Sequence, residues 1–303
     1  MNRPNRGVWY AAGAYSAWGI LPLYWKLLRS VPALQVISHR ILWSFVMLSG
    51  YLALARQWRA LRTALAVPGV LTTYALAALL IGINWLGFIW AVNAGFIVET
   101  CLGYFINPLL SVLLGVIALG ERLRPWQWLA IALASAGVLY LTIAHGQVPW
   151  ISFLLAITFA LYALVKKGAP LGAVPGLTLE TGLLLVPAGA VLLWSDHVGS
   201  GAFLRADWTV TLLLLSAGAV TTVPLVLFAS AAQSIPMLWI GILQYIAPTL
   251  QLALGVLVYG EPFTRDRFIG FALVWAALVV FAVEGMLSHR ALLRGRLVPP
   301  RSG

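Results

Sequence analysis

Apolar runs of about 20 residues recur along the whole chain, which is the length a helix needs to cross the hydrocarbon core of a bilayer. This feature constrains the fold more than any other. Of the 303 residues, 62% are hydrophobic and only 9% are charged, and the mean hydropathy is +0.95. A soluble domain of this length needs far more charge on its surface. The sequence therefore predicts an all-α polytopic membrane protein.

Ten transmembrane spans are predicted, separated by short joins that carry proline, glycine or charged residues. The longest join, at about 195–208, is too short to fold as a domain of its own. The spans are roughly 7–27, 33–55, 70–93, 97–119, 126–143, 149–165, 176–194, 209–231, 237–259 and 267–286.

The basic residues predict the orientation of these spans. With a cytoplasmic N-terminus, thirteen of the 19 lysines and arginines lie at the inner face, five lie at the outer face, and Arg40 remains inside a span. Cytoplasmic loops of membrane proteins carry this excess. We expect both termini in the cytoplasm and the protein in the inner membrane. The net charge of +11 is thus explained by anchoring to the lipid bilayer, and no zinc-finger spacing points to nucleic acid.

An internal repeat appears when the chain is shifted by 140 residues. GYFINPLLSVLLGVIALGE at 103–121 aligns without a gap on LQYIAPTLQLALGVLVYGE at 243–261, which pairs Pro108 with Pro248 and the two Gly-Glu dipeptides with each other. Five spans per half place the second copy in the membrane in the opposite sense, an arrangement typical of transporters. The prediction is two inverted five-helix repeats, 1–145 and 146–290, followed by a basic cytoplasmic tail, 291–303.

Five stretches of the first half also resemble a known family. They are AYSAWGILPLYWK, VPALQVISHRILWS, INWLGFIWAVN, LGYFINPLLSVLLG and LGERLRPWQW, and they are similar to the RarD branch of the EamA family of drug/metabolite transporters. The second half resembles the family through GLTLET and QYIAPTLQ. The resemblance implies ten helices in two inverted repeats and the export of a small molecule. RarD-type proteins are commonly labelled chloramphenicol-sensitivity proteins, which does not fix a physiological substrate.

Arg40 is the most demanding residue, because an arginine near the centre of a bilayer costs about 2.5–3.5 kcal/mol. We expect it to face the protein interior, with Glu99 as its partner. The pair is either a permanent link between two spans or one that breaks during transport. His39 lies about 100° away around the helix and need not share these surroundings.

Further candidates for the substrate path or for coupling are polar or aromatic side chains inside predicted spans, and helix packing is the alternative interpretation of each. Asn84 and Asn93 face opposite sides of one helix, so at most one of them lines a path. The remaining candidates are Trp18, Tyr104, Asn107, Tyr162, Gln233, Gln244 and Tyr245. Pro108 and Pro248 are candidate hinges or structural kinks.

The other charged residues at span ends are expected to have structural roles. The Gly-Glu pairs are expected to favour the N-terminus of the following helix. Lys166, Lys167 and Glu284 are expected to be anchors at the cytoplasmic face. No role is predicted for Glu180, which lies early in the seventh span.

The motif search favours transport over catalysis. The chain has no GxxxxGK[ST] loop for nucleotides and no HExxH motif for zinc, and its single cysteine, Cys101, forms no internal disulfide. We expect no cofactor and no metal. The predicted function is a secondary transporter for a small metabolite or amphipathic solute that works by alternating access and exports its substrate. An uncoupled amino-acid or metabolite facilitator and a non-transporting membrane scaffold are the alternatives. The sequence assigns no substrate, coupling ion or oligomeric state.

Overall fold

The computed structural model describes residues 3–93, 97–145, 150–258 and 264–296, with the side chains of 92–102 outside the described set. The described part consists of helices joined by short loops. The twelve helices are α1 (Arg3–Leu27), α2 (Ala33–Leu54), α3 (Trp58–Leu65), α4 (Val70–Asn93), α5 (Ile97–Leu119), α6 (Pro125–His145), α7 (Trp150–Lys167), α8 (Ala173–His197), α9 (Trp208–Ala232), α10 (Met237–Gln244), α11 (Ile246–Leu257) and α12 (Arg265–Arg296).

Eight stretches of the described chain are long and apolar enough to cross a membrane. They belong to α2, α4, α6, α7, α8, α9, α12 and the α10–α11 pair. Two of the ten predicted spans are not among them. The first, α1, has 25 residues but is less apolar and includes Arg6 and Lys26. The other lies in α5, whose described side chains begin at Gly103 and form the apolar stretch Gly103–Leu119.

The surface of the bundle is apolar, as a lipid environment requires. Leu54 is 88% exposed, Leu257 is 82% exposed and Val186 is 77% exposed, which would be costly in water. Exposed tryptophans stand near helix ends, among them Trp150 and Trp208 at the starts of α7 and α9. Tryptophan is enriched at this level because its ring suits the boundary between lipid and water. The chain is therefore a multi-pass membrane protein.

Two features of the helices correct the sequence prediction. The predicted ninth span, 237–259, is broken at Tyr245 into α10 and α11. Pro248 has no N–H to give to the carbonyl of Gln244, so a helical hydrogen bond is missing there. The second feature is α3, an eight-residue helix in the join between the predicted second and third spans. Its Leu61 is 3% exposed, while Arg59 and Arg62 face outward.

The most extensive helix packing joins a helix from α1–α6 to a helix from α7–α12. The pairs are α6 with α12, α5 with α7 and α10, α2 with α8 and α9, α1 with α9 and α11, and α4 with α7. Glycines allow the closest approaches. A Cβ on Gly218 of α9 would lie 2.5 Å from the Trp43 backbone of α2, and one on Gly241 of α10 would lie 2.6 Å from the Pro108 carbonyl oxygen of α5. Helices in lipid depend on such close packing.

Candidate functional site

Arg40 points into the helix bundle, as the cost of exposing it to lipid predicts. Its guanidinium carbon lies 4.6 Å from the ring centroid of Trp25 on α1 and 4.8 Å from that of Trp85 on α4. Its Nε donates a hydrogen bond of 2.9 Å to the hydroxyl of Thr221 on α9. Four helices therefore meet at this one side chain. A cation over the face of an indole ring is attracted by the ring quadrupole, so the two tryptophans stabilise the charge.

Two tyrosines complete the surroundings of Arg40. The phenol groups of Tyr24 and Tyr104 both lie near its guanidinium. The hydroxyl of Tyr24 donates to the carbonyl oxygen of Leu213 and lies 2.9 Å from the hydroxyl of Ser216. We call Arg40, Trp25, Trp85, Thr221 and Tyr104 the Arg40 site.

His39 does not share this site. It is 5% exposed and its ring lies 5.0 Å from that of Phe203. Adjacent residues on a helix point in directions about 100° apart, and the different neighbours follow from that geometry.

Two predicted site residues cannot be placed. The side chains of Glu99 and Asn93 lie outside the described residues. The predicted pair between Arg40 and Glu99 therefore stays a prediction. The partners of Arg40 within the described part of the chain are aromatic rings and hydroxyl groups.

Trp18 and Tyr162 belong to an aromatic cluster in the middle of the bundle. The ring of Trp18 lies 5.6 Å from Phe228 and 5.7 Å from Phe159, and the ring of Tyr162 is stacked on Phe228 at 6.0 Å. Trp18 is partly buried, and Tyr162 and Phe228 are fully buried. The cluster joins α1, α7 and α9 by packing.

The sequence prediction for Lys166 was wrong. Lys166 is not a surface anchor, because its side chain is fully buried and its Nζ lies 2.6 Å from Oε1 of Glu180, which is itself 2% exposed. The hydroxyl of Tyr162 donates to the other carboxylate oxygen of Glu180 at 2.9 Å, and the ammonium lies 5.2 Å from the ring centroid of Tyr74. The pair thus satisfies both of its charges inside the bundle. The two residues lie 14 positions apart on neighbouring helices, so no short spacing in the sequence indicates that they pair.

Further hydrogen bonds hold the same end of the bundle, where α7 ends and α8 begins. The hydroxyl of Tyr74 on α4 donates to the carbonyl oxygen of Leu171 at 3.1 Å, and Leu171 N–H donates back to that hydroxyl at 3.0 Å. Gln233 donates from Nε2 to the same carbonyl at 2.8 Å. Lys167 donates from Nζ to the carbonyl oxygen of Ile235 at 2.7 Å. Gln233 and Lys167 thus fasten loops, and neither lies at the Arg40 site.

Glu121 stabilises a helix N-terminus, but not that of the next helix. Its carboxylate accepts the backbone N–H groups of Met237 at 2.7 Å and Leu238 at 3.1 Å, at the start of α10. Gly120 has a φ of +66°, a conformation that favours glycine, and this turn directs Glu121 back towards α10. The equivalent pair, Gly260 and Glu261, lies outside the described residues.

The two asparagines with described side chains form hydrogen bonds. Asn84 donates from Nδ2 to the Leu155 carbonyl oxygen at 2.8 Å and to the Thr158 hydroxyl at 3.0 Å, linking α4 to α7. Asn107, 3% exposed, accepts a bond of 3.3 Å from Ser111 one turn later. The Asn84 contacts are of the interhelical kind that the packing interpretation predicts, whereas the Asn107 contact lies within α5.

Gln244 and Tyr245 lie where α10 meets α11. The hydroxyl of Tyr245 donates to the carbonyl oxygen of Phe105 on α5 at 3.3 Å. Oε1 of Gln244 is buried and has no partner in the described part of the chain. Next to them, Pro108 and Tyr245 border a cavity of about 10 Å³ between α5, α6, α10 and α12, which has room for roughly one water molecule. The helix continues through Pro108 without a break.

Glu284 joins α12 to α6 instead of acting as an anchor. It is 8% exposed, accepts a bond of 2.8 Å from Nη1 of Arg124 and one of 3.2 Å from Nε2 of Gln127. Within the described residues, histidine, cysteine and carboxylate side chains form no group of three that could hold a metal ion.

Known proteins are similar to this chain in sequence and in fold. Residues 5–143 match the EamA-like transporter family. The Bacillus subtilis protein named uncharacterized transporter YojE is 45% identical over 292 residues, which cover 95% of this chain and 97% of that protein. Protein RarD of Escherichia coli is 42% identical over 287 residues, covering 94% and 97%. This chain is a RarD-type member of the EamA family.

A solved structure agrees with the RarD-type chain in fold alone. That crystal structure superposes with a TM-score of 0.66 at 17% sequence identity and covers 90% of this chain and 96% of the other. Family membership and the apolar helices together make the chain a membrane transporter of the EamA family.

Proposed function

We propose that this RarD-type protein is a secondary transporter that moves a small amphipathic solute by alternating access between two inverted five-helix repeats, 1–145 and 146–290. The spacing of the helices carries the proposal. The starts of α2 and α8, of α5 and α10, and of α6 and α12 are each 140 residues apart, the same shift that aligns the two sequence copies. An odd number of spans per repeat then inverts the second copy.

The pattern of helix packing supports the same proposal. In the repeat, α1 corresponds to α7, α2 to α8 and α4 to α9. Replacing each helix by its counterpart therefore turns the α2–α9 contact into the α8–α4 contact, and the α1–α9 contact into the α7–α4 contact, and all four are present. Because α5 corresponds to α10 and α11 together, the same replacement turns the α5–α7 contact into the contact of α1 with α10 and α11, which is also present. Two halves with interchangeable contacts can exchange conformations, and that exchange opens a central path first to one side and then to the other.

The polar contacts support a path closed at the cytoplasmic end. With both termini in the cytoplasm, as the basic residues predict, the Tyr74–Leu171 and Glu121–Met237 contacts lie at that end and join the two repeats. The Arg40 site then lies nearer the outer side. The break at Tyr245 and the proline at 108 are the proposed hinges, because both interrupt regular helical hydrogen bonding.

The decisive experiment is flux through the purified protein in liposomes, measured with a metabolite library and with chloramphenicol, with and without a pH gradient. Saturable efflux that protein-free liposomes lack is the expected result, and acceleration by a pH gradient identifies proton coupling. Saturable flux without any gradient effect indicates the uncoupled facilitator. If no solute crosses while the protein stays folded, the transporter proposal is wrong and the scaffold alternative gains support.

A further inference from the structure

We propose that the Nη edge of Arg40 binds a carboxylate group of the transported solute, so that the substrates are small amphipathic organic anions. This inference rests on the proposed transport function and adds the substrate class to it.

Most of the donor capacity of Arg40 is unused. A guanidinium carries five N–H groups, and the one on Nε donates to Thr221. No other hydrogen bond joins Arg40 to a described residue. Its Nη atoms are not among the fully buried polar atoms that lack a partner, and its side chain is partly exposed. Both Nη groups therefore keep some accessible surface and unused donors.

The charge of Arg40 is also uncompensated within the described side chains, since none of their carboxylates lies within ion-pair distance of it. A cation inside a membrane bundle is costly without a counter-charge. Trp25 and Trp85 reduce that cost, because the guanidinium lies over both indole rings, and these contacts use none of its N–H donors. The edge of a guanidinium matches a carboxylate with two parallel hydrogen bonds. A bound anion would supply a counter-charge, in competition with Glu99, the partner that the sequence predicts.

The surroundings select the kind of anion. The described contacts of the guanidinium are Trp25, Trp85 and Thr221, which are uncharged groups, so these contacts leave its one positive charge uncompensated. A monoanionic carboxylate is neutralised by it, whereas a phosphate with a charge near −2 would keep one charge uncompensated. Two indole rings and the ring of Tyr104 offer an apolar surface for the rest of the solute. The geometry favours a carboxylate on an aromatic or aliphatic body.

The test compares an acid with its neutral isostere, 3-phenylpropionate with 3-phenylpropionamide, as ligands of the purified protein in detergent. We expect the acid, at up to millimolar concentration, to raise the unfolding temperature and the amide to have a much smaller effect. Arg40→Gln should weaken acid binding by at least about tenfold, because a charge-assisted bidentate contact is lost. Arg40→Lys should retain part of the affinity. Arg205→Gln is the matched control, since Arg205 is exposed and pairs with Asp196.

Several results would overturn the inference. They are equal effects of acid and amide, no effect of the acid on the wild-type protein, and wild-type acid affinity in Arg40→Gln. If Arg40→Gln does not fold, Thr221→Val decides, because it removes only the acceptor that orients the guanidinium. Severalfold weaker acid binding is expected there, and unchanged affinity contradicts the proposal. Transport of neutral solutes that is insensitive to Arg40→Gln refutes this inference alone. Acid binding without any flux in liposomes refutes the transport function alone.

Discussion

At the scale of single residues, two ion pairs in the described part of the chain, one buried and one exposed, should differ in their energetics. Lys166 and Glu180 are 0% and 2% exposed, whereas Arg205 and Asp196 are 50% and 67% exposed. Removing one partner of a buried pair leaves an uncompensated charge in a medium of low dielectric constant. Removing one partner of an exposed pair leaves a charge that water solvates.

Lys166→Met should therefore lower the free energy of unfolding by about 3–5 kcal/mol. The double variant Lys166→Met with Glu180→Met should recover most of this loss, because neither charge remains buried. Arg205→Met, the control, should change stability by less than about 1 kcal/mol. Reversible unfolding in detergent measures all three. A Lys166→Met protein as stable as the control would show that Glu180 does not depend on the lysine.

Residue roles were the hardest to predict from sequence, and Lys166 and Arg40 show why. Lys166 ends an apolar run, which is also where an anchor stands. Only the packing of α7 on α8 reveals its partner. The cost of an arginine in lipid predicts that Arg40 faces inward, but Trp25, Trp85 and Thr221 come from three other helices. No spacing along the chain brings those residues together.

At the scale of helices, the contact between α2 and α9 depends on Gly218. Gly218→Ala should destabilise the protein, because the new Cβ would lie 2.5 Å from the Trp43 backbone and two helices would have to separate. Gly189→Ala is the matched control within α8, where a Cβ meets nothing within 4 Å. We expect it to be neutral or to stabilise by up to about 1 kcal/mol. Unfolding temperatures in detergent compare the two, and equal effects would contradict this account of the packing.

Glu121 should control the order of the first turn of α10. Glu121→Gln replaces a carboxylate that accepts two backbone N–H groups, and caps of this kind contribute about 0.5–2 kcal/mol. The amides of Met237 and Leu238 should exchange hydrogen for deuterium faster in the variant. Amides at the start of α8 serve as the internal reference and should exchange as before. Unchanged exchange at Met237 would mean that α10 is held by packing alone.

Helices were predicted well where an apolar run alone defines them. Runs bounded by Pro32 and by Pro125 gave helix starts within a residue of those in the structure. A kink was predicted at Pro248, and the break lies three residues earlier, at Tyr245, because proline leaves the carbonyl four residues before it without a helical hydrogen bond. The short α3 was missed because eight residues give too little periodic signal.

At the scale of the whole molecule, the distribution of basic residues predicts which loops face the cytoplasm. On a background in which Cys101 is replaced, a thiol reagent that cannot cross the membrane should label a cysteine at Gly201 in intact cells. It should not label a cysteine at Arg59 until the membrane is permeabilised. The reverse pattern would invert the orientation and move the Arg40 site towards the cytoplasm.

The packing of α1–α6 mainly against α7–α12 has a consequence for how the protein is made. The ribosome delivers the first six helices to the membrane before their main neighbours exist. During this interval Arg40 lacks the Thr221 hydroxyl as a hydrogen-bond acceptor, and Glu121 lacks the backbone N–H groups of α10 as donors. An insertion factor that shields polar groups during this interval would raise the yield, and its loss should harm this chain more than a protein whose neighbouring helices pair as they emerge. A truncated product ending near 145 should be degraded quickly, and co-expression of 146–303 as a separate chain should rescue it.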